Sequence, residues 1–154
     1  MRLKIIILFP LFFLLFNCGY KVANLQKNYN ILEVETSGDN RINYKIRNKL
    51  LVTSKNANAT TIRLSLNSKK KKNIKEKNIN NQITKYEIVV TTIIKYESIN
   101  SPYKGEFSII KTGDYSVSEK YSDTLNSEKN LIKNLINDIV EEIQDNLSTN
   151  FNDT

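Results

Sequence analysis

One thiol and a crowd of amines are the side chains here with distinctive chemistry, and much of the usual catalytic repertoire is missing. The 154 residues include one Cys and no His. Without imidazole there is no ordinary base titrating near neutrality and no favoured zinc ligand, and a single thiol cannot close an internal disulfide. No catalytic residue, metal site or cofactor is expected, and the chain is not expected to be an enzyme. The amines concentrate at Lys69, Lys70, Lys71 and Lys72. Ammonium groups pair with phosphate as point charges without demanding a fixed geometry, which makes this run a candidate anion-binding surface. A solvated charge run is the commoner explanation of such a stretch. Glu141 and Glu142 are adjacent carboxylates, but neighbours on a helix point about 100° apart and do not converge on one substrate. Tyr86, Tyr96, Tyr115 and Tyr121 offer amphipathic rings suited to an interface, although packing within the fold is the usual fate of such residues.

The thiol has a telling position. Met1 to Lys4 form a short cationic start, and Ile5 to Phe16 an apolar run broken only by Pro10. That layout reads as a signal peptide over residues 1–17, since a spanning helix needs about 20 apolar residues. Cys18 follows directly, in Leu15-Phe16-Asn17-Cys18-Gly19. This resembles a bacterial lipobox, in which the thiol is acylated, palmitate being a typical chain, and the cysteine becomes the new N-terminus. Asn17 departs from the small residue usual before the cleavage site. Acylation would also remove the liability of a free thiol in an oxidising compartment. Loss of Arg2 and Lys4 with the leader leaves +5 of the formal +7 charge, a moderately basic mature chain. Such a surface attracts phosphate-bearing lipids or acidic proteins by its long-range field.

The elements that must position these groups follow from periodicity. Residues 18–28 read as a polar tether and 29–154 as one domain. Tyr29–Thr36 is a β-prone run ending at Ser37-Gly38-Asp39. Ile42, Ile46 and Leu50 recur every four residues, which predicts an amphipathic helix over Asn40–Val52. Ile62, Leu64 and Leu66 alternate with polar residues, the period of a half-buried strand, so the crossover should join two parallel strands in the right-handed sense. Ser68–Asn81, rich in Lys and Asn, predicts a mobile loop. Ile83–Glu97 predicts the strongest strand, with Tyr86, Ile88, Val90, Thr92, Ile94 and Tyr96 on one face and Val89 and Ile93 among charges on the other. Glu106–Ile110 and Tyr115–Ser118 predict a strand interrupted at a bulge near Gly113. Ser122-Asp123 offers a cap for a long helix carrying Leu125, Ile132, Leu135, Ile136, Ile139, Ile143 and Leu147 on one side and ending near Asn150. The order βαβββα predicts an α+β domain: a four-stranded mixed sheet with two helices packed on one face.

Taken in order, these features resemble the lipopolysaccharide-assembly lipoprotein family LptE over nearly the whole mature chain. The resemblance rests on Cys18-Gly19-Tyr20, a first strand followed by a basic helix, and Thr84-Lys85-Tyr86-Glu87-Ile88 opening a long strand. Tyr115-Ser116-Val117-Ser118-Glu119-Lys120-Tyr121-Ser122, leading into Ile139-Val140-Glu141-Glu142-Ile143, completes it. It implies an outer-membrane, lipid-anchored protein facing the periplasm. Such a protein plugs and supports a large outer-membrane β-barrel protein of the LptD kind and touches lipopolysaccharide through basic residues. Lys85 joins Lys69–Lys72 as a candidate contact, because its position matches a basic residue often found there in the family. An auxiliary lipoprotein of an ABC-type phospholipid-trafficking system is the alternative. A periplasmic hydrolase would want a Gly-flanked serine, which is missing. A nucleic acid partner is not expected of an exported lipoprotein with no recognised binding motif.

Overall fold

The computed structural model describes residues 28–53 and 59–152. The leader, Cys18 and the tether as far as residue 27 lie outside the described residues. Strand β1, Tyr29–Gly38, opens the domain. Its inward residues Ile31 and Val34 are three apart, a spacing strands do not normally allow. A register shift between Ile31 and Glu33 restores the phase and leaves Leu32 exposed.

The chain then turns sharply at Gly38, whose φ is +86°, into α1, Asn40–Thr53. Asp39 caps this helix, its Oδ1 accepting from the Arg41 and Ile42 amides at 3.0 and 3.1 Å. Ile42, Ile46 and Leu50 are buried, as the four-residue spacing requires. The helix returns the chain to β2, Thr60–Lys77, which pairs parallel with β1. β3, Ile83–Ser98, and β4, Lys104–Ser116, follow antiparallel, giving the sheet order β1-β2-β3-β4. The long helix α2, Tyr121–Asn152, closes the fold. Both helices cover one face of the four-stranded mixed sheet, and the core lies between the layers, from Ile62, Leu64, Ile88, Val90 and Ile94 of the sheet to Ile136, Ile139, Ile143 and Leu147 of α2.

Two expectations are corrected. The expected loop Ser68–Asn81 is mostly strand: β2 runs to Lys77, and Lys69, Lys70, Lys71 and Lys72 stand opposite Thr91, Val90, Val89 and Ile88 of β3. Low intrinsic strand preference is overridden because β3, rich in β-branched residues, is a strong template for the strand beside it. Only the tip turns, where Asn78 Oδ1 accepts the Asn80 and Gln82 amides and Asn81 takes φ +63°. The expected bulge near Gly113 is likewise not found. β4 is continuous, Gly113 pairs with Ile88, and a Cβ there would sit 2.6 Å from Leu131 Cδ1 of α2. The glycine makes room for the helix and leaves the strand unbroken. β4 ends at Ser116; Ser118 lies beyond it, its amide donating to Thr124 Oγ1 at the start of α2.

Candidate functional site

Strand pleating sorts the lysine run by parity. Lys70 and Lys72 follow Leu64, Leu66 and Ser68 onto the helix-covered face, and Lys69 and Lys71 emerge on the open face. The four amines thus form two sites with different surroundings.

On the helix side, Lys72 is a structural residue. Its Nζ lies 2.7 Å from Glu128 Oε2 on α2, and 4.2 and 5.3 Å from the ring centres of Tyr86 and Tyr115. Those rings stack at 5.7 Å, and the Tyr115 hydroxyl donates to the same Glu128 oxygen at 2.6 Å. Partial burial works against charge on Lys72, but the hydrogen bonds to Glu128 and Tyr115 outweigh it and push its pKa up to about 12. Burial similarly opposes ionisation of Glu128, and Lys72 and Tyr115 overcome it, holding the carboxyl below its ordinary range. Lys111 and Glu142 form a second ion pair, between β4 and α2. Glu128 carried no sequence signal, because its partners are 56 and 13 residues away.

The Lys72–Glu128 pair has a testable pH signature. A carboxyl with depressed pKa stabilises the fold above its unfolded value and loses that contribution as pH falls through the folded value. A lysine with raised pKa stabilises below its unfolded value and loses the contribution as pH rises through about 12. Lys72 is 38% exposed, so solvent screening limits the pair to about 1 kcal/mol. Urea unfolding of Glu128→Gln should show a deficit of that size at neutral pH that disappears by about pH 2. A deficit unchanged with pH would assign Glu128 a packing role only.

On the open face, Lys69 and Lys71 stand about 7 Å apart along β2. Beside them run Thr91 and Val89 of β3 and then Ile110 and Thr112 of β4, with Ile93 one step above. Ile110 is 63% exposed. This is an apolar strip bordered by two ammonium groups for which no carboxylate partner is found among the described residues. Several other charges on this face are ion-paired: Arg63 bridges Glu33 and Glu97 at 3.3 and 2.8 Å, Lys95 meets Glu106 at 3.2 Å, and Lys75 meets Asp114 at 2.7 Å. A hollow of about 610 Å³ above the strip, between Arg63 and Lys104, carries Glu35, Glu97 and Glu106, so its mixed charge does not favour an anion.

Lys85 does not converge with these lysines. It binds Glu76 at 2.8 Å and lies four residues, about 13 Å, along β3 from Val89, the partner of Lys71. Of the four tyrosines, Tyr86 and Tyr115 belong to the Lys72 cluster, Tyr96 packs on Phe107 and Phe151, and only Tyr121 is largely exposed. Ser68 and Lys71 have the spacing of some serine hydrolases, but they face opposite sides of the sheet. The Ser68 hydroxyl is buried 3.0 Å from Thr92 Oγ1.

Fold and site together define a two-layer α+β domain with one helix-covered face and one open, cation-bordered face. The domain shares its fold with solved lipoprotein structures. It is similar to rare lipoprotein B from Shewanella oneidensis, at 13% identity over 77% of this chain and 95% of that one, with a TM-score of 0.58. The uncharacterized lipoprotein B from Nitrosomonas europaea matches at 13% identity over 82% and 88%, with a TM-score of 0.58. A minor lipoprotein from Acinetobacter baumannii matches at 16% identity over 79% and 94%, with a TM-score of 0.51. At these identities the likeness is one of fold. No protein-family model and no curated protein sequence matches the chain.

Proposed function

We propose that the chain is a lipid-anchored outer-membrane lipoprotein, facing the periplasm. In this reading it plugs and supports assembly of a large β-barrel translocon that delivers lipopolysaccharide to the outer leaflet, and it breaks no bond. The observation that carries the reading is the likeness in fold to several lipoproteins over nearly the whole described domain, in a chain whose lone cysteine follows a leader-like segment. The sheet supplies a second support. Lys69 and Lys71 border an apolar strip, which suits a ligand with phosphate at one end and acyl chains at the other. Lys72 is left out of that contact because Glu128 and two tyrosine rings already hold it, and Lys85 because Glu76 does.

The test is copurification in mild detergent through the full chain. Recovery of one large outer-membrane barrel protein in equal ratio is the expected result, and recovery of an inner-membrane permease instead would overturn it in favour of phospholipid trafficking. Replacing Lys69 and Lys71 with Gln should weaken lipopolysaccharide binding about tenfold without loss of fold. Undiminished binding would remove those two lysines from the contact.

A further inference from the structure

β1 is shorter than its neighbour, and this leaves half of β2 with an open side. The pairing ends with Gly38 opposite Ser68, where the Ser68 carbonyl accepts the Asp39 amide at 2.7 Å. Backbone groups alternate along a strand, so the amides and carbonyls of Lys70 and Lys72 point the same way as those of Ser68. Among the described residues no strand lies there. β3 holds the other side of this segment as far as Lys77, so the edge is rigid and its free donors and acceptors are already aligned.

Charge decides what kind of strand fits. Lys69 and Lys71 border the edge on the open face. On the helix face a groove of about 390 Å³ lies over it, between the start of α1 and residues 125–136 of α2, with Arg41, Lys45, Lys70 and Lys129 among its lining beside the half-buried Leu125 and Ile132. Its two carboxylates are engaged, Asp39 in capping α1 and Glu128 with Lys72. A second copy of this chain would set lysine against lysine across the new ladder, which is unfavourable. Lysines on an edge ordinarily guard it against such self-pairing, and the same charges select a strand of opposite sign.

We infer that the Lys70–Ile74 edge of β2 is a strand-addition site for an extended acidic segment of another protein, which continues the line of β1. The segment exchanges backbone hydrogen bonds with Lys70 and Lys72. Its carboxylates meet Lys69 and Lys71 on one face and Arg41, Lys45, Lys70 and Lys129 on the other, with small apolar side chains entering beside Leu125. This goes beyond the lipopolysaccharide contact proposed above, because it uses the backbone of the edge and a protein partner.

The probe is a synthetic peptide of about ten residues in which Glu-Glu pairs alternate with Val-Thr pairs, so that carboxylates emerge on both faces of the strand, titrated onto the full chain, with a Lys-for-Glu peptide as the contrast. Two variants separate backbone from charge. Lys70→Gln removes the ammonium and keeps the outward amide, and Lys70→Pro removes both. Proline is tolerated on an edge whose N–H meets solvent, so no native ladder bond is lost. Lys70→Pro should bind the acidic peptide about tenfold more weakly than Lys70→Gln. In the wild-type chain, hydrogen exchange at the Lys70 and Lys72 amides should slow when that peptide binds. Equal binding of the two peptides, equal affinity of the two variants, or unchanged exchange at those amides would overturn the inference. Lipopolysaccharide binding by Lys70→Pro should stay at the wild-type level, so this inference and the lipid contact fail separately.

Discussion

Gly38→Ala is expected to destabilise the domain by about 3 kcal/mol, enough to dominate any set of single surface substitutions. At φ +86° an L-residue is strained by about 1–2 kcal/mol. The added Cβ would stand 2.3 Å from the Ser68 carbonyl oxygen and 2.9 Å from Asn67 Oδ1, with the Ser68 carbonyl carbon at 3.2 Å. The obstacle is backbone, so no rotamer change relieves it. Moving Gly38 away lengthens the bond from the Asp39 amide to the Ser68 carbonyl and drags the cap of α1 with it, which adds about 1 kcal/mol. Urea unfolding monitored by circular dichroism measures the loss. A deficit under about 0.5 kcal/mol would mean that the β1–α1 junction is slack.

Ile109 and Ile110 are neighbours in β4 and should behave as opposites. Ile109 is 1% exposed and sits in the core cluster; Ile110 is 63% exposed on the open face. Ile109→Ala forfeits the burial of the removed methylenes and leaves a cavity under α2, at a cost of about 3 kcal/mol. For a domain of this size that lowers the melting temperature by about 10 °C. Ile110→Ala should fall within about 0.5 kcal/mol of wild type. Comparable costs at the two positions would mean that the open face is covered in the isolated protein and would remove the apolar strip from consideration as a lipid contact. A normal fold for Ile110→Ala with reduced lipopolysaccharide binding would connect the strip to the proposed activity.

Much of the architecture was legible because each element carries its own period. The four-residue spacing of Ile42, Ile46 and Leu50, the alternation through Ile62, Leu64 and Leu66, and the stripe from Leu135 to Leu147 each encode a buried side that needs no knowledge of the partner. The element order and the placing of both helices on one face follow from matching those sides. The candidate site was less legible. Lys69, Lys70, Lys71 and Lys72 are chemically identical along the chain, and their roles diverge only when pleating sends alternate members to opposite faces. The partners that distinguish them lie far away in sequence: Glu128 for Lys72, and Val89 and Thr91 beside Lys71 and Lys69.

From its own residues the chain determined the leader-like start with Cys18 behind it, the βαβββα order and the identity of the core, because apolar periodicity is local and survives any arrangement that buries it. Only the tertiary structure decided that the Lys-rich stretch is strand, that Gly113 yields space to α2, and that one lysine of four is locked to Glu128 while two border an open apolar strip. Those outcomes depend on β3 and α2 arriving from distant parts of the chain. A strong neighbouring strand can impose extended structure on residues whose own preference is weak.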